Sequence, residues 1–124
     1  MSTSEIATVL AWYDALSAGD VDTLLSLSSD DIEIGDVNGA AQGHVALRDW
    51  AGRTDATIDV GRTYYHDGVV VVEETIAPKS DPAALDTGAT AFRVVHDHVT
   101  SVFFHDDLAA ALAATELTDT DLQS

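Results

Sequence analysis

The stretch Asp31-Ile32-Glu33-Ile34-Gly35-Asp36-Val37 alternates polar and apolar residues as a half-buried strand does. Ile32 and Ile34 share one face, and period two puts Asp36 on that same face. A carboxyl desolvated in an apolar pocket has its pKa raised toward working pH, which is the condition for general acid or base chemistry. Asp36 is therefore the candidate catalytic residue. The other reading is that the strand stops at Gly35 and Asp36 opens an Asp-Val-Asn-Gly turn, capping backbone amides.

Other residues could assist it. Trp12 and Trp50 can wall a pocket, stack on a flat ligand and donate an indole N–H, or can simply pack the core, which is the plainer reading for Trp50. Tyr13 completes an apolar stripe and reads as core. Glu73 and Glu74 follow a valine run, and one of them must face inward if the strand continues. An inward one could pair with Asp36 as a two-carboxylate site with pKa values pushed apart. The plainer reading is a strand end near water. Arg93 alternates with Phe92 and Val94, which assigns it to the outer sheet face. The five histidines, 44, 66, 96, 98 and 105, form no HxxxH or HExxH pattern, and no metal site is expected. Gly35, Gly39 and Gly43 lack the lysine and spacing of a phosphate loop. With no cysteine, thiolate chemistry and disulfides are excluded.

These side chains need a scaffold. A capping-box spacing at Ser2 and Glu5 starts a helix carrying Ile6, Val9, Leu10, Tyr13 and Leu16, which Gly19 ends. Asp20 caps a short second helix with Val21, Leu24 and Leu25. Asn38-Gly39 and Gly43 read as a loop before a third helix, His44 to Arg53. Strands follow over Thr57–His66 and Val69–Ile76, joined at Asp67-Gly68, and over Phe92–Val95 and Val99–Phe104, joined at His96-Asp97. The connection from Ala77 to Gly88 reads as a loop of about twelve residues. An amphipathic segment, Asp107 to Leu117, closes a single domain over 1–117, and residues 118–124 are expected to fray. Helices first and strands later predict an α+β fold, with helices on one face of a mostly antiparallel sheet.

The chain of 124 residues is long enough for one cored domain, with 46% apolar residues. Its 22 acidic and 5 basic side chains give a net charge of −17. That excludes charge-driven binding to nucleic acid or to anionic membranes. No apolar run approaches the length of a membrane span, and the start MSTSEIATVL lacks the pattern of a signal peptide, so a cytoplasmic location is expected. The acidity reads either as adaptation to a high-salt cytoplasm or as that of an ordinary acidic protein.

Four stretches together resemble the nuclear-transport-factor-2-like superfamily, in its SnoaL-like and ketosteroid-isomerase-like branches. They are Trp12-Tyr13-Asp14-Ala15-Leu16-Ser17-Ala18-Gly19-Asp20, Leu27 to Asp36, the Gly43 helix reaching Trp50, and Phe92-Arg93-Val94-Val95 with the hairpin into Val99-Thr100-Ser101-Val102. The resemblance implies a cystatin-like α+β roll: a cone-shaped, curved, mostly antiparallel sheet wrapped around the N-terminal helices, with an internal pocket and often a homodimer through the outer sheet face. It places a general base at Asp36, whereas the family's oxyanion tyrosine falls on Trp12 and its second, protonated aspartate on Thr90, so both oxyanion donors are changed here. Phe92, Val102 and Phe104 would join Trp12 and Trp50 in lining the pocket. The implied function is that of a small-molecule pocket protein, working without a cofactor as an isomerase or cyclase on a hydrophobic carbonyl compound. The alternative is a non-catalytic ligand-binding or dimerisation module.

Overall fold

A computed structural model describes residues 2–36, 38–53, 56–78, 80–81 and 83–123. The first helix, α1 (Ser2–Ala18), buries Val9, Trp12, Tyr13 and Ala15. Its buried face is wider than the predicted stripe and rotated from it. Trp12 points inward, while Leu10 lies at the surface, 42% exposed. Gly19 ends the helix with φ +69°, and the Asp20 N–H donates back to the Ala15 carbonyl, as in a Schellman cap. Asp20 then caps α2 (Val21–Ser26), accepting from the Thr23 N–H at 3.3 Å.

The six strands are β1 (Ser28–Asp36), β2 (Gly39–Gln42), β3 (Ala56–His66), β4 (Val69–Pro78), β5 (Asp86–Val95) and β6 (His98–His105). They form one sheet in the order β2-β1-β6-β5-β4-β3. Among the described residues only the β1–β6 pair is parallel. The β3–β4 and β5–β6 hairpins use left-handed residues, Asp67-Gly68 and His96-Asp97, whose twist matches that of the flanking strands. Two stretches expected as loops are paired strands instead. Gly39–Gln42 is an edge strand on β1. The β4–β5 ladder runs out to Ile76 opposite Asp86, so the connection is shorter than predicted. Lys79 and Pro82, within that connection, lie outside the described residues.

Helices α1, α2 and α3 (His44–Arg53) fill the inner face of the sheet. The last helix, α4 (Leu108–Thr115), lies on the other face, packing Ala111, Leu108 and Leu112 on Tyr64, Val71, Ala89 and Ala91. Coverage on both sides explains the valine run: Val70 and Val72 belong to the inner core and Val71 to the outer one. It also corrects the expectation of helices on one face only. The outer face proposed for dimerisation is partly covered by this chain's own α4. Residues expected to fray run along β3, where the Gln123 N–H donates to the Thr63 carbonyl at 2.7 Å and His66 faces Asp121 at 3.5 Å. Among the described residues no helix is long and apolar enough to cross a membrane.

Charge is left largely unpaired. Among the described residues the ion pairs are Arg62–Glu73, His44–Asp30 and His66–Asp121. Mutual repulsion at net −17 should therefore loosen the fold at low ionic strength. The Debye length falls from about 30 Å at 0.01 M to about 3 Å at 1 M salt. The melting temperature is expected to rise by several degrees from dilute buffer to molar NaCl. Equal values by calorimetry at the two salt levels would rule this out.

Candidate functional site

The inner-face positions of β4 run Val70, Val72, Glu74, Ile76. The strand continues past the valines, so alternation carries a carboxyl into the interior. Glu74 is buried, only 4% exposed. Its Oε2 accepts from the Tyr13 hydroxyl of α1, and its Oε1 accepts from the Thr90 hydroxyl of β5 at 2.8 Å. Burial pushes the Glu74 carboxyl above its ordinary range, against the downward pull of those two hydrogen bonds. Burial, with the neighbouring Glu74 carboxylate, pushes the Tyr13 phenol well above its own range, so Tyr13 stays a proton donor. Glu73, one residue earlier, faces the other way and accepts two hydrogen bonds from Arg62, at 3.0 and 3.1 Å, which hold its carboxyl below the usual range.

Glu74 opens onto a cleft of about 560 Å³. The walls are Trp50 of α3, Ile58, Ile76 and Phe104, and Asp86 and Asp106 sit at the rim. Gly88 stands opposite Glu74 in the β4–β5 register and also lines the cleft. A Cβ there would meet the His105 carbonyl at 3.2 Å and Ile76 Cδ1 at 3.9 Å, so a glycine suits the close approach of β6 at this point.

A second cleft of about 440 Å³ lies alongside, lined by Ile34, Asp36, Ala46 and Arg53. The two share Trp50 and Phe104, whose rings stack with centroids 5.2 Å apart. Asp36 edges this second cleft from the β1–β2 hairpin, where it pairs with Gly39. The turn reading describes its local geometry: Asp36 is exposed, and its Oδ1 accepts from the Asn38 N–H at 2.8 Å. Alternation predicted its face correctly but not its depth, because the strand turns back at that residue.

Of the expected pocket residues, Trp50 and Phe104 line the clefts. Thr90 is fully buried behind them, in contact with Glu74. Trp12, Phe92 and Val102 form the core behind the wall rather than the wall itself. Trp12 stacks on Trp50 at 5.8 Å and meets Phe92 edge-on at 5.4 Å. Its indole N–H donates to Ser28 Oγ at 3.1 Å, so this donor is already engaged inside the core. Arg93 is exposed on the outer face, as predicted. Among the described residues no cluster of three histidine or acidic side chains could hold a metal. The residue that sequence reasoning underweighted is Glu74. Its signal was the period-two spacing to Val72 and Ile76.

The curved sheet around N-terminal helices is a fold shared with solved structures of nuclear-transport-factor-2-like and cystatin-fold proteins. Residues 9–102 match the SnoaL-like domain, and the chain belongs to that family. Among solved structures it is similar to a candidate ketosteroid isomerase from Kribbella flavida DSM 17836, with TM-score 0.74 and 14% identity over 82% of this chain and 76% of that one. A candidate polyketide cyclase from Sinorhizobium meliloti gives 0.68 and 18%, over 80% and 94% of the two chains. A protein of ketosteroid-isomerase-like fold from Catenulispora acidiphila DSM 44928, in complex with trimethylamine, gives 0.69 and 22%, over 90% and 93%. No curated protein matches the chain.

Proposed function

We propose that the chain is a cofactor-independent acid–base enzyme of the isomerase or cyclase type, acting on a hydrophobic carbonyl compound. The observation that carries this is Glu74: a buried carboxyl, oriented by Tyr13 and Thr90, flooring a cleft whose aromatic wall continues to Asp36. Burial shifts Glu74 toward its neutral form, which can donate a hydrogen bond to a carbonyl oxygen, and a carboxylate can accept the proton from the adjacent carbon. Glu74 takes the first role and Asp36 the second, with the ligand lying along Trp50 and Phe104. The enolate oxygen is then stabilised where its charge develops.

Deuterium incorporation next to the carbonyl of 4-phenyl-2-butanone, followed by NMR in heavy water, reads this chemistry without knowledge of the natural substrate. The protein is expected to accelerate exchange. Glu74→Gln and Asp36→Asn should each lower the rate about 10²-fold or more, as loss of a general acid or base does. Exchange at the buffer rate, or rates unchanged in both variants, would overturn the proposal. Ketone binding without exchange would favour a carrier or sensor, a reading to which the engaged Trp12 indole lends weight.

A further inference from the structure

The open end of the cone has a consistent chemistry. On the inner face β5 starts at Asp86, two residues before Gly88, and Asp106 follows directly on the end of β6. Both carboxylates line the cleft outside Glu74, and both are exposed, with Asp86 Oδ1 also accepting from the Thr87 N–H at 2.9 Å. Among the described residues lining this cleft there is no lysine or arginine. Arg53 is the cation of the neighbouring cleft, on the side of Asp36.

From floor to rim the cleft thus changes character. Its deep end is lined by Gly88 and the buried carboxyl of Glu74. The middle is apolar and aromatic, and the entrance is negative. A neutral reacting end fits the floor, an apolar body fits the walls, and a cationic group fits the entrance. A carboxylate or phosphate at that outer end would face two like charges, with His105 as the basic side chain among the described lining residues, inside a field already set by net −17.

We propose that the ligand of this cleft is a hydrophobic carbonyl compound with a positively charged amine at the end away from the carbonyl, held at the entrance by Asp86 and Asp106. This rests on reading the cleft as a ligand site, but not on the proton transfer. Free amine-bearing ketones or aldehydes are the class it takes. Carboxylated, phosphorylated or nucleotide-linked ones are the class it rejects.

The test uses one apolar body with three charges. The probes are 4-phenyl-2-butanone, its para-aminomethyl derivative and its para-carboxy derivative. Binding to the full-length protein is read at near-physiological salt by tryptophan fluorescence and by NMR shifts of Trp50 and Thr90. The amine is expected to bind at least tenfold tighter than the carboxylate, with the neutral ketone between them. Asp86→Asn combined with Asp106→Asn should shrink that gap severalfold and leave the neutral ketone unchanged; both side chains are exposed, so the fold should tolerate the change. Equal affinities for the three probes overturn the inference while leaving the ligand site standing. A gap that survives the double variant also overturns it, assigning the preference to the general surface charge. If none of the three binds at millimolar concentration, the ligand site and the inference fall together. Deuterium exchange in the neutral ketone reports separately on the acid–base reading.

Discussion

Replacing Trp12 by alanine is expected to cost about 3–5 kcal/mol of stability, the range for removing a large buried aromatic. Trp12 is 1% exposed and stands at the junction of the three inner layers. It stacks on Trp50 of α3, meets Phe92 of β5 and Tyr13 edge-on, and donates to Ser28 at the start of β1. The truncation would leave a cavity among rings that cannot collapse together, because each is held by a different element. It would also strip Ser28 Oγ of its donor, although that hydroxyl keeps its own bond to the Leu24 carbonyl at 2.8 Å. The cost falls on a domain whose whole stability is about 5–15 kcal/mol. The alanine variant should unfold at a much lower urea concentration than the native chain. Trp50→Ala removes a ring that is only partly buried, and should cost less than Trp12→Ala while abolishing ketone binding. If the two variants unfold at the same denaturant midpoint, the division between core and wall is wrong.

That division marks the limit of what the residue pattern reveals. Among the described residues periodicity located the four α-helices and five of the six strands, because burying apolar faces is a local requirement written at fixed spacing. β2 escaped because Gly-Ala-Ala-Gln has neither alternation nor β-branched residues; it is a strand only because β1 offers it an edge. The long connection was overestimated for a similar reason. Thr75 was expected within a strand, but its partner Thr87 belongs to the stretch 86–91, which has no large apolar residue and is a strand because β4 and β6 pair with it.

Depth was not legible in the site residues, and face only in part. Period two gave the face of Asp36 and left Glu73 and Glu74 undecided, while Phe104 came from the family resemblance. Whether each ends at a rim, a floor or a wall depends on where its strand turns and on what packs above it. Asp36 reaches a hairpin and becomes exposed. Glu74 lies beneath α1 and meets partners 61 and 16 residues away in the chain. The valine run obscured it as well. Residues buried on both faces of a strand break the alternation that would have singled out Glu74 over Glu73.

The Tyr13–Glu74 contact should show itself as a stability change that depends on pH. Tyr13→Phe keeps the ring and its packing on Phe92 but removes the hydroxyl that donates to Glu74. That hydrogen bond lowers the Glu74 pKa, so its loss raises the value further above the ordinary range. In the native chain the folded-state pKa of Glu74 is already raised. Its linkage therefore favours folding at low pH, and that contribution is lost as pH rises from the ordinary carboxylate range through the folded value. In the phenylalanine variant the loss begins from the same unfolded pKa and continues to a higher pH. The two chains should differ least in acid, where Glu74 is protonated in both and only a neutral hydrogen bond of about 1 kcal/mol is missing. They should differ most above the native folded pKa, where a bond to a charged acceptor, roughly 1.5–3 kcal/mol, is gone. Pairing each chain with Glu74→Gln separates the carboxyl from the rest of this very acidic protein. On the glutamine background the Tyr13→Phe cost should stay flat with pH. Urea unfolding of the four proteins across pH 4–9 gives the comparison, and a Tyr13→Phe cost that is flat on both backgrounds, or larger in acid, would remove Tyr13 as the group that tunes Glu74.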